Sequence, residues 1–273
     1  MNTFAQEILY YISLDQTHWL LTLAIVLVIA PFERLIPRLK HKEPRSRGWV
    51  ILGVAVSAYL LVWIFKSTAY VQAITLFLNF QLFSISKTAF PTAAIYAFSL
   101  LLIDLMMFSF HILSHRFSFL WRLHSIHHAD EHVDAKTGVL HHPLESIASV
   151  LFVLFFCVIL GVPVIALVLY AAVATLHNLF THANIKLPSW FDHIIRWLIV
   201  TPDMHRTHHS VVYREGNSNF GQIFSFWDRI FGTYVKHPSS GEEHIVLGLS
   251  ANEKPSAFTM KSLLLHPFRK KRG

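Results

Sequence analysis

Long apolar runs alternate with short polar segments along this chain. A helix that crosses the hydrocarbon core of a bilayer needs about 20 mostly apolar residues. Three runs come close to that length and are predicted to be spanning helices: residues 16–32, 48–65 and 88–110. The third run contains a single charged residue, Asp104.

A fourth apolar run, residues 146–176, contains no charged residue at all. It is too long for one crossing and short for two. The sequence "LGVP" at residues 160–163 interrupts it, and Pro163 cannot continue an ordinary helical hydrogen-bond ladder. The run therefore predicts a helical hairpin that enters the membrane and returns.

The basic residues predict how these helices are oriented. They form one cluster within residues 34–47 and another at residues 269–272, and such clusters collect on the cytoplasmic side of a membrane. Both clusters lie on that side if the helices 48–65 and 88–110 and the two legs of the hairpin cross the membrane between them. Residues 67–86, which are uncharged but polar in places, are then interfacial or re-entrant. The N-terminus lies outside, and the histidine clusters lie on the cytoplasmic face.

The composition supports a membrane protein. Hydrophobic residues make up 53% of the chain and charged residues 14%, against about 25% charged in a soluble domain. The net charge of +7 resides largely in clusters that flank apolar runs, so no nucleic-acid partner is predicted. The one cysteine, Cys157, lies in an apolar run and argues against a disulfide framework or a cysteine-based metal site. The N-terminal residues lack the features of a cleavable signal peptide.

Histidine is unusually frequent, with 19 residues. Ten of them form four clusters: His111 and His115; His124, His127 and His128; His177 and His182; and His205, His208 and His209. Residues three and four apart share a helix face. Three of the clusters have this spacing, so each of these three is expected to aim its imidazoles at one point.

Ten clustered imidazoles predict a metal site. Without a metal, many buried rings would have lone pairs with no partner, and buried polar groups without partners are costly. Transition ions commonly take about four to six ligands, and imidazole suits iron, zinc, copper and nickel, so ten imidazoles suit two ions. Other classes remain open: a metal transporter or storage protein, a b-type haem electron carrier and a zinc lipid hydrolase. The clusters lie near helix ends, where an apolar substrate could arrive from the bilayer.

Several stretches together resemble the fatty acid hydroxylase/sterol desaturase superfamily. They are "DLMMFSFHILSHR", "LWRLHSIHH", "THANIKLP", "TPDMHRTHHS" and "NSNFGQIFSFWDRIFGTY", and they occur in this order within residues 88–236. The resemblance implies an all-α polytopic bundle of about four to five spanning helices, including the hairpin, with a cytoplasmic histidine-rich cap that binds two metal ions. It also implies an O₂-dependent hydroxylase or desaturase with two iron ions, for which zinc could substitute on purification.

By position, the resemblance assigns nine metal ligands: His111, His115, His124, His127, His128, His182, His205, His208 and His209. His177 is a less certain tenth, because its five-residue offset from His182 does not place both on one helix face. Two further residues are expected to act behind the ligands. Asp104 would orient a ligand histidine or cap a nearby polar group, with an ion pair to Arg116 as the alternative, and Asn184 would bond near the metal.

The implied partners are a lipid substrate from the bilayer, O₂ and a separate cytoplasmic electron-donor protein. Sterols, fatty acyl chains and related lipids all fit. The expected domains are membrane helices and an interfacial segment at 1–87, a catalytic domain at 88–236 and a cytoplasmic tail at 237–273. A bacterial inner membrane is the favoured location, with the endoplasmic reticulum the alternative for a eukaryotic protein.

Overall fold

The structure is a computed structural model that describes residues 17–40, 42–65, 85 and 88–269. Within these residues, regular structure is helical, and extended segments meet only in isolated bridges such as that between Ile199 and Phe224. The predicted all-α class is confirmed. Apart from Ile85, the segment 67–86 that was predicted to be interfacial falls almost entirely outside the described residues.

The described helices are α1 Thr17–Leu35, α2 Arg47–Phe65, α3 Thr92–Arg116, α4 Ser118–His124, α5 Pro143–Leu160, α6 Val164–His182, α7 Ser189–Ile195, α8 Pro202–His208, α9 Tyr213–Gly216, α10 Phe226–Ile230 and α11 Met260–Leu265. Two 3-10 helices, η1 Ala135–Val139 and η2 His266–Phe268, complete the set. Four helices, α2, α3, α5 and α6, are long and apolar enough to cross a membrane. That α1 also crosses it stays a prediction.

The predicted hairpin is present as α5 and α6. The first leg ends at Gly161, whose φ of 62° lies in the left-handed region that glycine adopts without strain. Pro163 then precedes the first residue of α6. The legs extend from Pro143 to His182, beyond the predicted 146–176, because the apolar run marks the part of a helix in the membrane rather than the ends of the helix.

The third spanning helix differs from the prediction in the same way. It begins at Thr92 and continues to Arg116, six residues past the predicted end at residue 110. His111 and His115 are therefore part of the spanning helix itself. Together with His182 at the end of α6, they bring imidazoles from two long helices to one end of the bundle.

The last part of the chain packs onto the bundle. Leu247, Leu249 and Leu263 are buried, and Leu263 belongs to a hydrophobic cluster that includes Ile51 of α2. The Met260 sulfur lies close enough to Gly53 that a Cβ there would be 2.9 Å from it. Residues 237–273 were predicted to be a tail, and their described part instead covers one side of α2. The division into three domains itself stays a prediction.

A buried arginine connects α2 to the histidine-bearing loop. Arg47 is 2% exposed, and its guanidinium donates to both carboxylate oxygens of Asp130 at 2.9 and 2.6 Å. It also donates to Asp134 at 2.8 and 3.0 Å, to Thr137 and to Glu43. Such bidentate pairs fix geometry as well as charge. Asp130 follows His128 by two residues, so Arg47 fixes the position of the loop that carries two of the predicted ligands.

We expect Arg47→Met to destabilise the protein by about 3–5 kcal/mol, because it leaves the buried carboxylate of Asp130 without its cation. Arg45→Met is the matched control, since Arg45 is exposed. The loss of helical circular dichroism on heating the detergent-purified variants measures the effect. Equal melting temperatures for the two variants would show that the ion pair has no role in stability.

Candidate metal centre

Nine histidines form two adjacent groups whose nitrogens converge. The first group is His111, His115, His124, His128 and His208, and the second is His127, His182, His205 and His209. Within each group, one ring nitrogen from every member lies within 4.8 Å of the others. The nine are the predicted ligand set. The two groups touch, because the rings of His128 and His209 stack at 4.5 Å between centroids.

The clusters in the sequence are divided between the two groups. His128 and His208 belong to the first group, whereas their immediate neighbours His127 and His209 belong to the second. Successive helical residues point about 100° apart, whereas residues four apart overlap. The i, i+4 pairs therefore stay together, and the remaining histidine of each triplet joins the other group. The expectation that each triplet aims at a single point was wrong.

For most of these rings, hydrogen bonds fix which nitrogen is free. In five of the nine rings, Nδ1 donates to an oxygen that can only accept: His111 to Phe220 O at 2.9 Å, His124 to Glu145 Oε1 at 2.6 Å, His127 to Leu140 O at 3.2 Å, His182 to Asn178 O at 2.7 Å and His208 to Ser218 O at 2.7 Å. A neutral imidazole has one N–H, so the proton lies on Nδ1 in each case. Nε2 is left as a bare lone pair that faces the interior of the group.

These lone pairs face one another. Nε2 of His127 and Nε2 of His182 are 3.1 Å apart, and the latter is 2.9 Å from Nε2 of His205. With both protons on Nδ1, the contact between His127 and His182 has no hydrogen to share. Nε2 of His111 and of His208 are buried without a hydrogen-bond partner among the described residues. A cation between the rings would satisfy these groups.

The spacing also fits a metal. Metal–imidazole distances are about 2.0–2.1 Å, which places neighbouring ligand nitrogens about 3 Å apart. The observed Nε2–Nε2 distances in the second group are 2.9–3.2 Å. The residues present therefore fit two metal ions, one in each group, and the absence of cysteine sulfur from both groups favours metals that accept imidazole.

Burial keeps the rings in the form that binds metal. It lowers the pKa of His208 to about 3, and it lowers the pKa values of His128, His205 and His209 well below their usual range, with neighbouring histidines lowering them further. A lowered pKa means that the proton is lost at lower pH. At neutral pH these imidazoles are therefore uncharged, and each retains a lone pair for a ligand bond.

A short non-helical segment, residues 218–224, supplies carbonyls to the rings. The carbonyls of Ser218, Phe220 and Gln222 accept from Nδ1 of His208, His111 and His177, respectively. One segment therefore orients three imidazoles from three different helices.

Two buried carboxylates hold the other side of this segment. Asp228 accepts from the backbone N–H groups of Phe220 and Gly221 at 2.7 and 2.9 Å. Asp104 accepts from those of Ile223 and Phe224 at 3.1 and 3.2 Å. Both carboxylates are 0% exposed, so their charges are compensated by these donors and not by water. These four hydrogen bonds fix the backbone of residues 220–224.

Asp104 therefore acts at a distance from the ligands. Its other bonds are from Tyr170 Oη at 2.8 Å and Trp227 Nε1 at 2.9 Å. None of these partners is a histidine or Arg116, so Asp104 caps polar groups of the segment, the second of the predicted roles. Placing an acidic residue in a spanning helix costs free energy, and the hydrogen bonds to Asp104 offset this cost.

Asn184 does not lie where the sequence suggested. Its side chain bonds the backbone of Leu39, with Oδ1 accepting at 3.0 Å and Nδ2 donating at 2.9 Å. Its own N–H donates to Glu33 at 2.8 Å. Asn184 thus attaches the segment after α1 to the end of α6. Its distance along the chain from His182 gave no information on the direction of its side chain.

His177 is outside both groups. Nδ1 of this ring donates to Gln222 O at 3.0 Å, and Nε2 is buried without a partner among the described residues. Five helical residues correspond to a rotation of about 140°, so His177 and His182 point in different directions. The structure therefore brings together nine of the ten predicted histidines.

Two residues outside the predicted ligand set, Glu145 and His141, lie against the site. Glu145 accepts from His124 and lies 3.5 Å from Nδ1 of His141, and the His141 ring stacks on His127 at 4.5 Å. Pro143, at the first position of α5, signals a helix start. That signal, which places Glu145 in the first turn of a helix, could have indicated that Glu145 faces the preceding loop.

A family model described as fatty acid hydroxylase matches residues 96–233, which span the two histidine groups and the carbonyl segment. The chain belongs to this family. The resemblance seen in the histidine motifs is thus confirmed. No solved structure matches the chain.

The names of similar relatives describe a lipid hydroxylase, a monooxygenase and a hydroxylase-like protein. Ornithine lipid hydroxylase OlsE of Rhizobium tropici is 25% identical over 79% of this chain and 66% of its own length. Human alkylglycerol monooxygenase is 23% identical over 78% of this chain and 45% of its own length. A cholesterol 25-hydroxylase-like protein of Danio rerio is 24% identical over 75% of this chain and 81% of its own length. The chain thus spans about two thirds or less of the first two relatives.

The carbonyl segment gives a test of the site that leaves every histidine in place. A Cβ at Gly221 would lie 2.7 Å from Phe224 O and 2.8 Å from the Val200 side chain, so Gly221→Ala must displace the segment. We expect the purified variant to bind less metal per chain than the unmodified protein. Gly48→Ala is the matched control, because a Cβ there meets nothing within 4 Å. Undiminished metal content in Gly221→Ala would show that the segment does not orient the rings.

Proposed function

We propose that this protein is a membrane-bound hydroxylase that uses O₂ and two electrons to insert one oxygen atom into a C–H bond of a lipid. The observation that carries the proposal is the pair of adjacent groups of buried imidazoles with converging lone pairs. Family membership and the lipid hydroxylases among the relatives support the same reaction class. Ornithine lipids, alkylglycerols and sterols, the classes in the relatives' names, are the first candidates for the substrate.

The proposed metals are two iron ions, held by the nine histidines of the two groups. When bound, two iron ions would supply the reductive activation of O₂ that attack on an unactivated C–H bond requires. The chain itself orients the ligands through the Nδ1 contacts. It also keeps the site away from water, since His208 and His209 are 0% exposed. Both contributions are those that a protein makes to cofactor chemistry.

The position of the site favours a substrate from the bilayer. His111 and His115 lie in the last turns of a spanning helix, and His182 ends another, so the metal groups lie directly at the end of the apolar bundle. We propose that this end faces the cytoplasm, following the basic residues near Arg47, and that a separate protein delivers the electrons there. The lipid would then need to move only a short distance from the leaflet.

A histidine-rich metal transporter is the second class, and it makes a different demand on the fold. A transport path would need its ligands along the spanning helices and open to water on both sides. The nine histidines instead lie together at one end of the bundle. Four backbone carbonyls and three carboxylates fix the rings and the adjacent segment. Rigid, closed sites suit a resident cofactor better than an ion in transit.

Metal content tests the two-group arrangement. We expect the unmodified protein to bind about two iron ions per chain, and His128→Ala and His209→Ala to reduce binding in different groups, because the two residues belong to different groups. The double variant should bind almost none. His244→Ala, an exposed histidine, is the control. Elemental analysis of detergent-purified protein gives the ratio, and full iron binding by the double variant would contradict the assignment.

Isotope labelling tests the reaction. In a host that expresses the protein, we expect a membrane lipid to gain one oxygen atom, and this atom to carry the label when isotopically heavy O₂ replaces air. The double variant His128→Ala, His209→Ala should abolish the product. Mass spectrometry of lipid extracts makes the measurement. A product that has lost two hydrogens without gaining oxygen would instead identify a desaturase, and oxygen derived from water would exclude an O₂-dependent hydroxylase.

A further inference from the structure

Helix α7 and the turn after it expose an apolar face. Trp190, Ile194, Trp197 and Leu198 are 68%, 62%, 63% and 59% exposed. Their spacing of four, seven and eight residues places them on one side of a helix. In a protein surrounded by water, a stripe of this kind would face the core.

The charged residues of the same segment point inward. Asp192 and Arg196 are 8% and 3% exposed and form an ion pair at 2.5 Å. Arg196 also donates to Lys236 O at 3.0 Å. The segment therefore has an inverted polarity, with paired charges inside and large apolar side chains outside. This arrangement is stable where the surroundings of the outer face are apolar.

Helix α10 extends the same face. Ile230 and Phe231 are 65% and 56% exposed. Arg229 joins the two segments, because its guanidinium lies 4.7 Å from the Trp197 ring and donates to Arg196 O at 2.8 Å. The two short helices thus form one surface of six large apolar side chains.

This surface adjoins the spanning helix α3. The Phe231 ring lies 5.3 Å from that of Phe108 in α3, and Trp227 of α10 bonds Asp104 of α3 at 2.9 Å. A hydrocarbon core about 30 Å thick takes about 20 helical residues, so counted from Thr92 it extends to about residue 111. Both contacts with α3 are inside that limit. Phe108 is close to that limit, so Phe231 lies at about the depth of the outer acyl chains.

We propose that the face formed by Trp190, Ile194, Trp197, Leu198, Ile230 and Phe231 is embedded in the leaflet next to the histidine groups and binds lipid acyl chains. Tryptophan is enriched at this depth of a bilayer, and short amphipathic helices lie in the interface plane with their apolar side in the lipid. The face anchors the segment that contains Asp228 and the ring-orienting carbonyls. The proposal does not depend on the identity of the metal or on the reaction.

Spin labels on the full chain test this placement. In a Cys157→Ala background, single cysteines are introduced as Ile194→Cys and Leu198→Cys on the face, and as Lys186→Cys and Glu243→Cys at exposed polar positions. The labelled proteins are reconstituted into vesicles of phosphatidylcholine and phosphatidylglycerol. Electron paramagnetic resonance then measures collision with O₂, which concentrates in lipid, and with a water-soluble nickel complex.

We expect the ratio of O₂ to nickel collisions to be several-fold higher at residues 194 and 198 than at residues 186 and 243. Equal ratios would show that the face contacts water. Labels at 194 and 198 that are shielded from both reagents would show that a protein, such as a second copy of the chain, covers the face. Either result would overturn the proposal.

Quenching of tryptophan fluorescence provides a second test if the spin-labelled variants fail to fold. Brominated phosphatidylcholine quenches tryptophan fluorescence on contact, and we expect Trp190→Phe with Trp197→Phe to remove a large part of the quenching seen in the unmodified protein. Trp121→Phe, at a partly buried tryptophan near the histidines, is the control. Unchanged quenching in the double variant would contradict lipid contact at this face.

Discussion

The structure is organised around imidazole lone pairs that face one another. His127 and His182 each donate an Nδ1 proton to a backbone carbonyl, so their Nε2 atoms face one another at 3.1 Å with no proton between them. Without a cation, such contacts are repulsive in an interior with little water to screen them. The surrounding backbone holds the rings there despite this repulsion. Metal ions between the rings would turn the facing lone pairs into ligand bonds.

The rest of the structure supplies the support that this arrangement requires. Asp104 and Asp228 accept hydrogen bonds from backbone N–H groups of the carbonyl segment. Arg47, through Asp130, fixes the loop that carries His127 and His128. Buried ions of this kind seldom increase stability over apolar packing. Here they fix positions, because ligand atoms must be placed to within a fraction of an ångström to share an ion.

Much of this architecture could be predicted from the sequence. Apolar length identified the spanning helices, and Pro163 identified the hairpin. The resemblance to a known superfamily predicted the nine histidines that the structure brings together. Helical periodicity was less informative about how the histidines are grouped. It suggested that each sequence cluster aims at one point. In the structure, His127 and His128 point in different directions and belong to different groups.

Contacts between distant residues were beyond the reach of spacing arguments. The partners of Asp104 are more than 60 residues away along the chain, and Asn184 bonds Leu39 instead of its neighbour His182. Carbonyl oxygens such as Phe220 O are present at every residue, so no pattern in the side chains indicates which of them accepts from His111. The inverted polarity around Asp192 and Arg196 is also a tertiary property, because only packing shows which side of α7 faces outward.

Two metal ions side by side in shells of imidazole would have a distinctive X-ray absorption spectrum. The spectrum at the iron edge is measured on iron-loaded protein together with its iron content. We expect about two iron ions per chain, nitrogen or oxygen neighbours at about 2.1 Å, strong outer-shell scattering from imidazole rings and no sulfur neighbours. A single iron ion per chain, or a shell without imidazole scattering, would contradict this expectation.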